Sequence, residues 1–91
     1  MLTLTRQRER ILLAVRDEPG RFYLEAGEVY DAKSGRKYTA EFKKLTAAHW
    51  LRVARPDERH PKELSFRRYY RLDDEGEKRL AAGQRLKGGP R

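Results

Sequence analysis

Between Ser34 and Leu51 the chain reads SGRKYTAEFKKLTAAHWL, and the residue types recur at a spacing suited to binding. At about 100° per residue, as in a helix, Tyr38, Phe42, Leu45 and His49 share one side. Arg36, Ala40, Lys43, Lys44 and Ala47 share the other, with Lys37 and Thr39 at the edges. One side can pack on a core while the other offers three cations around two small side chains. Alanines let a helix come close to another surface. Arg36, Lys43 and Lys44 could then meet phosphates or base edges, and the alanine methyls could lie against thymine methyls. The segment 35–49 therefore reads as a recognition helix. The plainer alternative is a solvated cationic face on an ordinary helix.

The remaining reactive groups point away from catalysis. His49 and His60 are the only histidines; they lie eleven positions apart, with no cysteine in the chain. That spacing lacks the pattern of a zinc site, and without cysteine there is neither a disulfide framework nor a thiolate ligand. His49 reads as a packed helix-end residue, and His60 as a phosphate contact when protonated. Asp73, Asp74 and Glu75 resemble a carboxylate cluster, but acidic groups in a first helical turn are favoured by the helix dipole. No Gly-rich phosphate loop or nucleophile elbow is present. The expectation is a protein that is not an enzyme and needs no cofactor.

Size and charge agree with a binding role. Ninety-one residues make one domain, here taken as 1–87 with a frayed tail at 88–91. Such a chain buries only about 60 to 65% of the surface its unfolded form exposes, so the core is small. With 37% hydrophobic residues it has no apolar volume for an enclosed substrate cavity, and no small-molecule ligand is expected. The formal charge is +8, distributed unevenly. Residues 1–33 are neutral, residues 34–71 carry +7 and residues 72–91 carry +1. An excess confined to one third of the chain is the footprint expected of contact with a polyanion. No apolar run has the length of a signal or membrane segment. A cytoplasmic, nucleoid-associated protein with no membrane contact is expected.

The elements that must hold these residues follow from periodicity and punctuation. Leu4 to Arg16 forms a first helix with Thr5 as N-cap, placing Arg8, Ile11, Leu12 and Val15 on one face. Glu18-Pro19-Gly20 stops it. Arg21 to Leu24 is a short aromatic strand. Glu25 to Lys33, interrupted by Gly27, is either a one- to two-turn helix or an irregular segment. Ser34 or Thr39 caps the recognition helix, the latter giving a later start. Leu51 and Val53, and then Phe66, Tyr70 and Leu72, alternate with polar neighbours as two strands of a hairpin. The polar loop Arg55 to Ser65 between them, stiffened by Pro56 and Pro61, suits a wing that touches DNA. One of Tyr69 and Tyr70 should point inward and the other outward, where stacking on unpaired bases would suit RNA. Trp50 covers the core under the wing or, if partly exposed, anchors a protein partner. The last helix starts at Asp73–Glu75, with Gly76 allowing close packing.

Three of these pieces resemble a family pattern. GRKYTAEFKKLTAAHWL (35–51) resembles the GRKVTA-type recognition helix, ending in a GW or GL step, of small bacterial winged-helix DNA-binding proteins common in actinobacteria and their phages. His49 stands where that pattern has glycine. YYRLDDEG (69–76) resembles the YRLTxxG join between the second wing strand and the final helix of MarR-like and PadR-like regulators, with Asp73 in place of threonine. GRFYLEAG (20–27) is similar to the first strand and its exit. The resemblance implies an α+β winged helix-turn-helix: a three-helix core, a two-stranded wing hairpin and a C-terminal helix. It also implies duplex DNA binding and transcriptional regulation, or a phage or plasmid DNA-binding role. By position, Ser34, Arg36, Lys37, Thr39, Ala40, Lys43 and Lys44 become groove and phosphate contacts. Arg55, Arg59, His60, Lys62, Arg67 and Arg68 become wing contacts. A homodimer through the first and last helices is a further implication. The rival readings are a protein-interaction module working through Trp50 and a ribosome-associated RNA-binding protein.

Overall fold

The computed structural model describes residues 2–87, with side chains of the last helix as far as Gly83; the tail at 88–91 lies outside the described residues. Helix α1 (Arg6–Asp17) starts where Thr5 accepts a hydrogen bond from the Arg8 N–H at 3.1 Å. It buries Ile11, Leu12 and Val15, as the spacing predicts. Strands β1 (Phe22–Glu25) and β2 (Glu28–Asp31) form a hairpin. Its two-residue turn puts both Ala26 and Gly27 at positive φ, 51° and 76°, the backbone twist that tight hairpins need. Glu25 to Lys33 is thus neither a short helix nor irregular. The turn at Ala26-Gly27 lets Val29 pair opposite Leu24, and the alternation of β2 buries Val29 and Asp31.

Helix α2 (Thr39–Ala47) is shorter than expected, and its N-cap is Tyr38, without a side-chain cap bond, rather than Ser34 or Thr39. Residues 36–38 instead run extended along the outer edge of β2. The Asp31 N–H donates to the Arg36 carbonyl at 2.8 Å, and the Tyr38 N–H to the Val29 carbonyl at 2.8 Å. Ser34 caps no helix; its hydroxyl donates to the Asp31 carboxylate at 2.8 Å. Thr39 fastens the helix start to the sheet, accepting from the Val29 N–H at 2.9 Å and donating to Glu28 at 2.7 Å.

Strand β3 (Leu51–Val53), a 3-10 turn (Pro56–Glu58), strand β4 (Arg68–Leu72) and helix α3 (Asp74–Lys87) complete the chain. The four strands form one antiparallel sheet in the order β2-β1-β4-β3. The fold is therefore α+β with three helices, and a strand stands where a winged helix-turn-helix has its second helix. Phe42 of α2 holds the layers together, with ring centroids 5.0 Å from Phe22 on β1 and 4.9 Å from Tyr70 on β4. Helices α1 and α3, the pair implied for a dimer contact, pack on each other within the chain. Among the described residues no helix is long and apolar enough to cross a membrane.

Two backbone hydrogen bonds close the exit of α2. The Trp50 N–H donates to the Leu45 carbonyl at 2.9 Å, and the His49 N–H to the Thr46 carbonyl at 3.1 Å. This double closure, with Trp50 and Leu45 buried together, requires the residue before Trp50 to be left-handed, and His49 has φ 63°. Its ring is not packed at the helix end; the side chain is 78% exposed. Glycine suits that backbone better, so His49→Gly should stabilise the fold by about 0.5 to 1 kcal/mol in a denaturant titration. Gly76, in the first turns of α3, lies against the main chain of Trp50, where an added Cβ would come 2.0 Å from the Trp50 carbonyl oxygen. Gly76→Ala should cost about 3 kcal/mol, read as a lowered denaturation midpoint, because backbone rather than a side-chain tip must move.

Candidate nucleic-acid interface

The register of the sheet divides the candidate residues between two faces. Tyr30, Tyr23 and Tyr69 stand directly opposite one another on β2, β1 and β4, so they share one face. Tyr70, next in sequence to Tyr69, points to the other face and meets Phe42 of α2. The helices therefore cover the Phe22–Tyr70 face. The loop between β3 and β4 folds back over the Tyr69 face, where the Leu64 N–H donates to the Tyr69 hydroxyl at 3.0 Å.

On the helix side, α2 turns Phe42 and Leu45 into the core and leaves Ala40, Lys43, Lys44 and Ala47 exposed. Arg36 is exposed just ahead of it. The one acid of the helix, Glu41, is taken by Arg8 of α1. Among the described residues Lys33, Arg36, Lys43 and Lys44 have no carboxylate partner, so this surface carries uncompensated positive charge. Arg68 belongs to the same side, since it pairs opposite Leu24, which pairs opposite Val29, the residue bonded to Thr39. Two strand spacings, roughly 10 Å, separate Arg68 from Val29. Arg68 is exposed and without a carboxylate partner at the rim of the sheet.

The loop residues are employed differently. Lys37 follows the β2 edge and lies over Tyr30, 5.8 Å from its centroid, on the loop-covered face. Arg67 lies 3.9 Å over Tyr23 and pairs with Glu25 at 3.2 Å. Tyr23 and Tyr30 stack at 5.4 Å, so a rib of cation, ring, ring and cation crosses this face. Glu58 holds Arg52 through two bonds of 2.7 Å, and the buried Glu63 holds Arg71 at 2.6 and 2.8 Å. Arg55 pairs with Asp57 and Glu58, while His60 is half-buried with its Nδ1 accepting from the Lys62 N–H. Arg59 and Lys62 are exposed and unpaired. The loop is thus a tethered cover for the sheet, not a free wing, and its Arg59 lines a cleft together with Arg68.

Two further expectations change. Trp50 is 2% exposed, so it cannot anchor a partner; its indole closes the core beneath α3, with Arg79 5.6 Å above it. Tyr69 and Tyr70 are both buried, because the loop covers the face that alternation left open for Tyr69. Stacking of Tyr69 on an unpaired base is excluded by that cover. Sequence reasoning also missed a cleft of about 670 Å³ at the mouth of the loop, whose walls come from both ends of the loop and from the strands that flank it. Among the described residues no His, Cys, Asp and Glu group could hold a metal ion. Family models, curated proteins and solved structures provide no match to this chain.

The segment that leads into α2 is held by Asp31, which is 2% exposed. It accepts from Arg21 at 2.6 and 3.1 Å, from the Lys33 N–H at 2.9 Å and from Ser34. Burial pushes its pKa up, but these bonds outweigh it and bring the group from 3.8 down to about 2. Hydrogen bonds from Arg52 and the Arg55 N–H likewise lower Glu58 from 4.5 to about 2. The folded state thus binds these protons less readily than the unfolded chain does. Their stabilisation is complete above about pH 4.5 and drains away toward pH 2. Circular dichroism should show acid unfolding in that window, and Asp31→Asn should cost about 2 kcal/mol at neutral pH by leaving Arg21 unpaired.

Proposed function

We propose that this protein binds duplex DNA with the outer side of α2, as a variant of the winged helix in which the β1–β2 hairpin takes the place of the second helix. One observation carries the reading: among the described residues Lys43 and Lys44 have no carboxylate partner beside Ala40 and Ala47, on a helix fixed from behind by Phe42 and Leu45, and Arg36 is exposed on the extended run just ahead of it. Small residues permit close approach of the helix to the groove floor, while the cations replace counterions at the phosphates. Arg68 adds a contact from the rim. Lys62 of the loop is taken to stand outside this contact. A regulator of transcription, or a phage or plasmid DNA-binding protein working at the nucleoid, is the role this surface would serve.

The test is duplex binding by fluorescence anisotropy across a salt series. With about four phosphate contacts, log K should fall against log salt with a slope of about −3.6. Lys43→Glu should weaken binding by more than about tenfold and flatten the slope, whereas Lys62→Glu should leave both nearly unchanged. Equal losses in the two variants would overturn the one-face model. Selection from random duplexes should yield a defined sequence logo if the alanine methyls and Arg36 read bases; recovery of unselected sequence would reduce the role to backbone binding.

A further inference from the structure

We propose that the cleft at the mouth of the β3–β4 loop binds a small organic phosphate, of nucleotide size and carrying two or more negative charges. Its volume, about 670 Å³, lies within the range of small-molecule sites. Arg55 and Arg59 line it from the first half of the loop, Arg67 and Arg68 from the second. Two of these guanidinium groups are already fixed, Arg67 by Tyr23 and Glu25, and Arg55 by Asp57 and Glu58. The other two, Arg59 and Arg68, are exposed and have no carboxylate partner. The one acid in the lining, Glu63, is neutralised from behind by Arg71 at 2.6 Å, and stays ionised because that bonding holds its pKa down against the raising effect of burial. Arg59 and Arg68 thus add uncompensated charge beside two arginines already in ion pairs, and a ligand anion would balance it. Guanidinium forks match phosphate oxygens in pairs, so a diphosphate can bridge the two free arginines. Val53 and Pro56 add an apolar wall that an inorganic anion would leave unused. The site lies around the edge of the sheet: Arg68 and Val53 come from the α2 side and Arg67 from the other, so Arg68 is shared with the DNA reading while Arg55, Arg59 and Arg67 are not.

Isothermal titration of the whole chain with ADP should give a dissociation constant below about 1 mM. Arg59→Ala and Arg68→Ala together should weaken it at least about tenfold, while Lys43→Ala with Lys44→Ala should leave it unchanged. Both arginines are exposed and unpaired, so an unchanged thermal melt of the double variant serves as the folding control. No heat with ADP would overturn the assignment, as would equally tight binding of adenosine or an equal loss in the lysine variant. A 5′-phosphorylated single strand that binds at the two arginines where ADP does not would also overturn it, placing nucleic-acid ends there. Loss of ADP binding in Arg59→Ala with duplex affinity intact would separate this site from the α2 surface.

Discussion

The clamp of Phe42 between Phe22 and Tyr70 sets the orientation of everything that follows. A nine-residue helix is too short to hold itself in water, and α2 lacks a side-chain N-cap. Its stability comes from burying one aromatic ring against two others on neighbouring strands, with Leu45 alongside. That burial fixes the helix rotation, and the rotation sends Lys43 and Lys44 outward. The apolar residues therefore determine where the charge goes, although they touch no partner themselves.

Charge is sorted in the same way. The acids of the central region are bound to particular arginines at the sheet and loop: Glu41 to Arg8, Asp31 to Arg21, Glu58 to Arg52 and Glu63 to Arg71. Two of these carboxylates are buried, and each is saturated by more than one donor, which is what burial of an ion pair requires. The lysines of α2 receive no such partner. The excess of +7 over residues 34–71 is consequently concentrated on surfaces away from the ion pairs.

The parts of this architecture legible in the sequence were those with a strong period. The 3.6-residue pattern located α1 and the two sides of α2, and the polar loop announced the β3–β4 hairpin. Strand β2 was hidden because Ala26-Gly27 is a weak turn signal beside Asn-Gly, and four residues leave no room for a period to establish itself. The fate of Tyr69, Arg67 and Lys37 was invisible for another reason. Alternation tells which residues share a sheet face, but not whether a loop then folds over that face. Ion pairs such as Arg71 with Glu63 join a strand residue to an irregular loop position eight residues earlier, where no spacing rule applies.

The extended run at 36–38 has a consequence beyond its support of α2. By occupying the outer edge of β2 it leaves that edge of the sheet closed to a further strand, and the opposite edge, β3, is only three residues long. Exposed strand edges are the usual templates for chains to join one another. Here neither edge offers a length on which a neighbouring strand could zip up, so the sheet ends where its own chain ends it.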